Sequence, residues 1–325
     1  MRSSDKSRAH TSPRMKEERE VHRVAVRFSC GREVSPNLAE IKFDKYRITT
    51  LPSKRDPFSP SGEDMLLEFP DVWEKDQIAS NPEREAQYIL AWLSLAFGAK
   101  IEFDSAKINT VNITLQRRQH RQRKSPIESD SELNPLFNGL CSLNDKDAQQ
   151  CLRACEAYRV AVSLTEDNPT LAMFMLVTAV ECLSNTFETG EGHFLKLSHF
   201  ISSHLPQELA SERDDPKFPE LLRQCYESRS GFTHGGKPLS LASTVADQAS
   251  ERFVTHYEDG RETVTPGTAW FEKIVRSVIM EFLRKQNGPR RASLSALALQ
   301  EGILTLRAKR SVERGSILTR DDVSL

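Results

Sequence analysis

An arginine and a histidine lie at the end of one apolar helix pattern, in Tyr226-Glu-Ser-Arg229-Ser230-Gly-Phe-Thr-His234-Gly-Gly236. Arg229 carries a permanent charge on a planar fork that matches the oxygens of a phosphate. His234 is of the one side-chain type that gains and loses a proton near neutral pH. Together they supply a proton carrier and a fixed positive charge, two of the requirements for breaking a phosphodiester. Ser230, directly after the arginine, stands where it could orient either group. Tyr226 offers a ring that stacks on a base or fills a core. The same residues also fit a structural reading, in which an arginine and a histidine cap the last carbonyls of a helix.

The elements that must place these groups follow from the surrounding pattern. Pro219 opens the helix, at a position where its missing N–H costs nothing. Leu221, Leu222, Cys225 and Tyr226 form the apolar stripe, and Gly235-Gly236 supplies the stop. Five residues of regular helix turn ~140° and rise ~7.5 Å, so Arg229 and His234 do not share a face. They converge if the helix loosens near Gly231, or if a second subunit contributes its own pair. Upstream, Leu171 to Phe187 is apolar nearly all round, the pattern of a central core helix. Glu181 is its only charge. A buried carboxylate needs a compensating partner, and Arg229 is the natural one.

The pattern Tyr-x-x-Arg-Ser-x-x-x-His-Gly at 226–235, preceded by the Thr178-Ala-Val-Glu181-Cys-Leu183 helix, resembles the HEPN family and within it the Apea-like branch. The resemblance covers residues 145–288. It implies a bundle of four or five helices, association as a homodimer, and cleavage of RNA without a metal or other cofactor. The products so implied are a 2′,3′-cyclic phosphate and a 5′-hydroxyl, and the setting is that of a toxin or antiviral defence effector, with room for a regulatory or antitoxin protein as a partner. On this resemblance His234 is the general acid or base and Arg229 stabilises the phosphate, with Ser230 and Glu181 completing the catalytic set. Other family members bind without cutting, so a non-catalytic adaptor or RNA-binding module stays open for the same residues.

A formal net charge of −1 over 325 residues gives no broad basic field for nucleic acid, so any RNA contact needs a local patch. Arg117, Arg118, Arg121, Arg123 and Lys124 offer one. The same run, continuing into a Ser/Pro/Asn-rich stretch to Asn144, also reads as a solvated basic linker. The six cysteines, Cys30, Cys141, Cys151, Cys155, Cys182 and Cys225, are dispersed and read as reduced core thiols. No second pair or histidine cluster completes a zinc set. His193, His199 and His204 do not share one helical face and read as ordinary surface or core histidines. The N-terminus lacks the apolar core of a secretion signal and no run is long enough to span a membrane, which points to the cytoplasm.

Periodicity divides the chain. Residues 1–20 read as a disordered tail. Residues 21–116 read as a mixed, β-rich domain: Val24, Val26 and Phe28 alternate with polar neighbours, Ile41 to Ile48 suggests a strand slipped by one residue near Lys45, and Met65–Phe69 and Val111–Leu115 suggest others. One helix, Glu83 to Phe97, interrupts them before Gly98. Residues 117–145 read as linker and 146–288 as the helical bundle, with polar loops at 205–218 and 236–266. In the tail at 289–325, residues 306–322 resemble the opening of a SAF domain, too short to complete one, which fits a chance match equally well. The expected fold class is α+β, a mixed β-rich first domain followed by an all-α bundle of four or five helices.

Overall fold

Alternation at the end of the first strand buries Val26, Phe28 and Cys30. That strand, β1 (Val21–Cys30), lies inside a five-stranded sheet with β2 (Glu40–Phe43), β3 (Tyr46–Thr50), β4 (Glu63–Glu74) and β5 (Ile101–Phe103). Every pairing is antiparallel, in the order β2-β3-β4-β1-β5. The computed structural model describes residues 21–31, 40–50, 63–74, 81–103, 133–165, 167–185, 192–235, 253–258, 261–298 and 300. The expected strand at Val111–Leu115, the tail at 1–20, the basic run and the SAF-like stretch lie outside them.

The slip expected near Lys45 is a chain reversal. Phe43 pairs with Tyr46 across a two-residue turn, and Asp44 takes a φ of 48° there, a conformation that Asp tolerates better than most residues. The turn is tied from outside. Asp44 N–H donates to Asn134 Oδ1 at 3.0 Å, and Arg290 reaches the Asp44 carboxylate at 2.6 Å.

α1 (Asn81–Phe97) covers the sheet, and the rings of Phe43, Tyr46, Phe69, Trp92 and Phe137 meet between them. Within this apolar layer sits Glu85, with 0 % of its side chain exposed. Its Oε1 accepts hydrogen bonds from the Tyr46 hydroxyl and from Ser295 Oγ, the latter at 2.9 Å, and Lys45 Nζ lies 3.6 Å away. Burial first, then this carboxylate, push the Tyr46 hydroxyl far above its ordinary range.

Phe137 belongs to α2 (Leu133–Ser142), a helix within the stretch read as linker. Its Asn, Pro and Gly content resembles loop composition, but Leu133, Leu136, Phe137 and Leu140 recur at helical spacing and are all buried. α3 (Asp145–Leu164) follows, its first turn capped by the Asn144 side chain, which accepts from Asp147 N–H at 3.0 Å. α4 (Pro169–Ser184) starts as expected, with Asn168 as cap and Pro169 in its first turn. α5 (His193–His204), the short α6 (Ala210–Arg213) and α7 (Phe218–Gly235) come next.

The expected loops are not all loops. A 3₁₀ turn at Gln207–Leu209 and α6 occupy part of 205–218. β6 (Phe253–Glu258) and β7 (Arg261–Pro266) form an antiparallel hairpin within 236–266. The second half is therefore not all-α. The hairpin has the expected signature, alternation around an Asp-Gly pair, but its residues are only half apolar and pass for polar loop.

α8 (Thr268–Arg284) ties the layers together. Its paired apolar residues, Phe271, Ile274, Val275, Val278, Ile279 and Leu283 among them, are buried as their spacing predicts. Its Glu272 accepts a hydrogen bond from the Tyr158 hydroxyl of α3. Its Arg276 donates to the carbonyls of Leu95 and Ala96 at 2.8 and 2.5 Å, closing the end of α1 where Gly98 turns with a φ of 58°. One apolar core runs from the sheet through the helices, in an α+β chain. All six cysteines are free thiols, five of them buried. No described helix is long and apolar enough to cross a membrane.

Gly139 is where α2 approaches α8 most closely. A Cβ at that position would collide with the backbone carbonyl of Leu283, which cannot swing aside as a side chain does. Gly139→Ala should therefore cost about 1–3 kcal/mol of unfolding free energy, measured by chemical denaturation. An unchanged midpoint would show that the two helices are not locked at this contact.

Candidate functional site

α4 and α7 pack against each other, and the candidate site grows where Glu181, in the last turn of α4, meets Arg229 of α7. α7 buries Phe218, Leu221, Leu222 and Cys225. Arg229 follows Cys225 by one turn, at the edge of that buried face. Its Nη2 lies 3.0 Å from Glu181 Oε2 on α4, and its guanidinium stands over the Phe174 ring at 5.5 Å. The ion pair expected from the lone acid of α4 is present. The Arg229 side chain is 30 % exposed and that of Glu181 13 %, so the pair is sheltered on one side and open to solvent on the other.

Burial pushes the Glu181 carboxyl above its ordinary value, and the positive charges of Arg229 and then His193 pull in the opposite direction without cancelling it. The carboxyl thus sits in a weakly solvated place where its charge is costly, which is the condition under which a guanidinium partner matters most.

α7 continues as regular helix through Gly235. The loosening near Gly231 that would bring Arg229 and His234 onto one face does not occur, so their positions stay ~140° apart around the helix. Ser230 and His234 are placed here by the helix backbone alone. Tyr226 is half-buried, its ring 5.7 Å from that of Phe194 on α5. The basic residues Arg117, Arg118, Arg121, Arg123 and Lys124 lie outside the described residues, so of the residues singled out by sequence the structure shows Arg229 and Glu181 in contact, with Tyr226 one turn earlier on α7 and packed on Phe194.

Two neighbours of the pair were not anticipated. Phe174, two turns before Glu181 on α4, supplies the aromatic face under the guanidinium; the i, i+7 spacing was visible, but nothing marked this apolar residue among so many. His193 opens α5 as an exposed side chain, and its charge reaches Glu181. Judged against His199 and His204 alone it shares no face with them, and its relevant neighbours are on other helices. Among the described residues no three His, Cys, Asp or Glu side chains gather so as to hold a metal ion.

Chemically, the arrangement is a guanidinium paired with a carboxylate and standing over a ring, with its side chain 30 % exposed. Such a group accepts an anion without first breaking a fully buried pair. Compared with protein-family models, with curated proteins and with solved structures, the chain matches none.

The electrostatics of Glu181 predict a pH signature. Because its carboxyl is raised above the ordinary 4.5, the fold prefers the protonated form. That contribution to stability is fully present below 4.5 and is lost as pH rises through the raised value. Glu181→Gln keeps the shape of the protonated form and lacks the loss. Relative to the parent, its unfolding free energy should shift upward between acid and neutral pH, measured by chemical denaturation of both proteins. A shift in the other direction would mean that Arg229 outweighs burial at this site.

Proposed function

We propose that residues 146–288 form a HEPN-type bundle, with the β6–β7 hairpin inserted, and that the protein is a metal-independent endoribonuclease of the toxin or defence type acting at the open end of α7. The observation that carries this reading is the Arg229–Glu181 pair, in which a partly exposed guanidinium is held by a largely buried acid, five residues before a histidine on the same helix.

In this mechanism an RNA phosphate docks on the outer side of Arg229. Glu181 and the Phe174 ring keep the guanidinium from collapsing onto other groups. His234 removes the proton from a 2′-hydroxyl, the 2′-oxygen attacks phosphorus, and Arg229 stabilises the extra negative charge of the transition state. Ser230, on the same turn as Arg229, orients one of these partners. The bond to the 5′-oxygen breaks, leaving a 2′,3′-cyclic phosphate and a 5′-hydroxyl. The basic run at 117–124 would contribute non-specific contacts to the RNA backbone, and association of two chains would bring two such helix ends into one cleft.

One observation favours a second reading, a HEPN-type adaptor that binds without cutting: the unbroken helix leaves Arg229 and His234 on different faces of one chain. Incubation of purified protein with RNA in EDTA separates the two. Cleavage is expected, and His234→Ala should lower its rate by about 10²–10⁴ while melting at the parent's temperature. A folded His234→Ala protein that cuts as fast as the parent, or a parent that does not cut, removes the nuclease reading and leaves the adaptor.

A further inference from the structure

Transesterification of a phosphodiester needs two proton transfers. A base takes the 2′-hydroxyl proton and an acid gives one to the departing 5′-oxygen, because an alkoxide is a poor leaving group. In the reading proposed above, on which this inference rests, His234 serves as the base. Arg229 cannot be the acid, since a guanidinium does not release its proton. Glu181 is engaged with Arg229 at 3.0 Å. The Cys182 thiol is raised by burial. His204 is packed between Phe200 and Phe282, with Nδ1 2.9 Å from the Phe200 carbonyl, at the far end of α5.

His193 is differently placed. It is the first residue of α5 and exposed. The next residue, Phe194, contacts the Tyr226 ring and so fixes this end of α5 against α7. Measured around α7 from Arg229, the Tyr226 position is turned about 60° and the His234 position about 140° in the same sense. α5 therefore flanks the side of α7 that runs from the arginine toward the histidine. We infer that His193 is the general acid of the site, the second imidazole that α7 alone does not supply. The influence of its charge on the Glu181 carboxyl agrees with this placement.

His234 accepts the 2′-hydroxyl proton while the 2′-oxygen bonds to phosphorus. The bond from phosphorus to the 5′-oxygen breaks, and the protonated His193 imidazole delivers its proton to that oxygen. Solvent then restores both rings to their starting states.

The test compares two substrates, an RNA oligonucleotide and uridine 3′-(4-nitrophenyl phosphate), whose nitrophenolate departs without a proton. His193→Ala should lose about 10²–10⁴-fold on RNA and retain the parent's rate on the nitrophenyl ester, whereas His234→Ala should be slow on both. If His193→Ala melts early, His193→Gln, which keeps a polar side chain of similar size, takes its place. Equal losses on the two substrates would overturn the acid role in favour of a positioning one, and an unchanged rate on RNA would exclude His193 altogether. Both outcomes leave the nuclease reading intact. A parent inactive on both substrates overturns the nuclease reading itself, and this inference with it.

Discussion

Arg229 is held on one side by the carboxylate of Glu181, 3.0 Å away, and the two residues come from helices whose buried faces are mainly apolar. Apolar packing sets how closely α4 and α7 approach but says little about how far one slides along the other. A charge pair in a sheltered place does say it, because a displacement of a few ångströms would leave the carboxylate without its partner in surroundings that already disfavour its charge. The Phe174 ring restricts the guanidinium from a second direction. The outcome is a cation held in one orientation at the edge of the buried face of α7, with part of its side chain exposed.

The rest of the molecule supplies the stiffness this needs. α8 touches the layers at several points by different physics: a charge-assisted cap on α1 through Arg276, a hydrogen bond to α3 through Glu272, and a backbone approach to α2 that only glycine at 139 permits. The chain after α8 passes over α2 and α1, where Arg291 and Ala292 N–H groups donate to the Cys141 carbonyl of α2 at 2.8 and 3.0 Å and Ser295 reaches buried Glu85 of α1. The sheet is thus packed into the same core as the helices and anchored by polar groups at its β2–β3 turn. A partner bound to the sheet would act on helices that it already contacts.

Much of this was readable in the residues, and the parts that were not share a cause. Helices with a strong period declared themselves: α8 by apolar pairs every four residues, α4 by its cap Asn168 and Pro169. Glu181 stood out because one charge in an apolar run demands a partner. α2 was hidden because Asn134, Pro135, Asn138 and Gly139 look like loop when read as composition; its buried leucines matter only once β2 and α8 are there to receive them. The two-residue reversal at Asp44 resembled a slip in one strand, since a turn and a shift of register leave the same trace in an alternating pattern. His193 was passed over because its neighbours, Glu181 and the Phe194–Tyr226 contact, are brought to it by tertiary packing.

The role proposed for Arg229, oriented by Glu181, is contact with an RNA phosphate. Its most direct test is the affinity of a cleavage-resistant 2′-O-methyl oligonucleotide for the parent and for Arg229→Lys, measured by calorimetry at one fixed salt concentration. Lysine keeps the charge and a partner for Glu181 but is a single point donor, unable to serve a carboxylate and a phosphate at once with a planar fork. Arg229→Lys, folded as judged by its melting, is expected to bind about tenfold or more weakly, the equivalent of about 1.4 kcal/mol. Equal affinity of the two proteins would contradict it and confine Arg229 to joining α7 to α4.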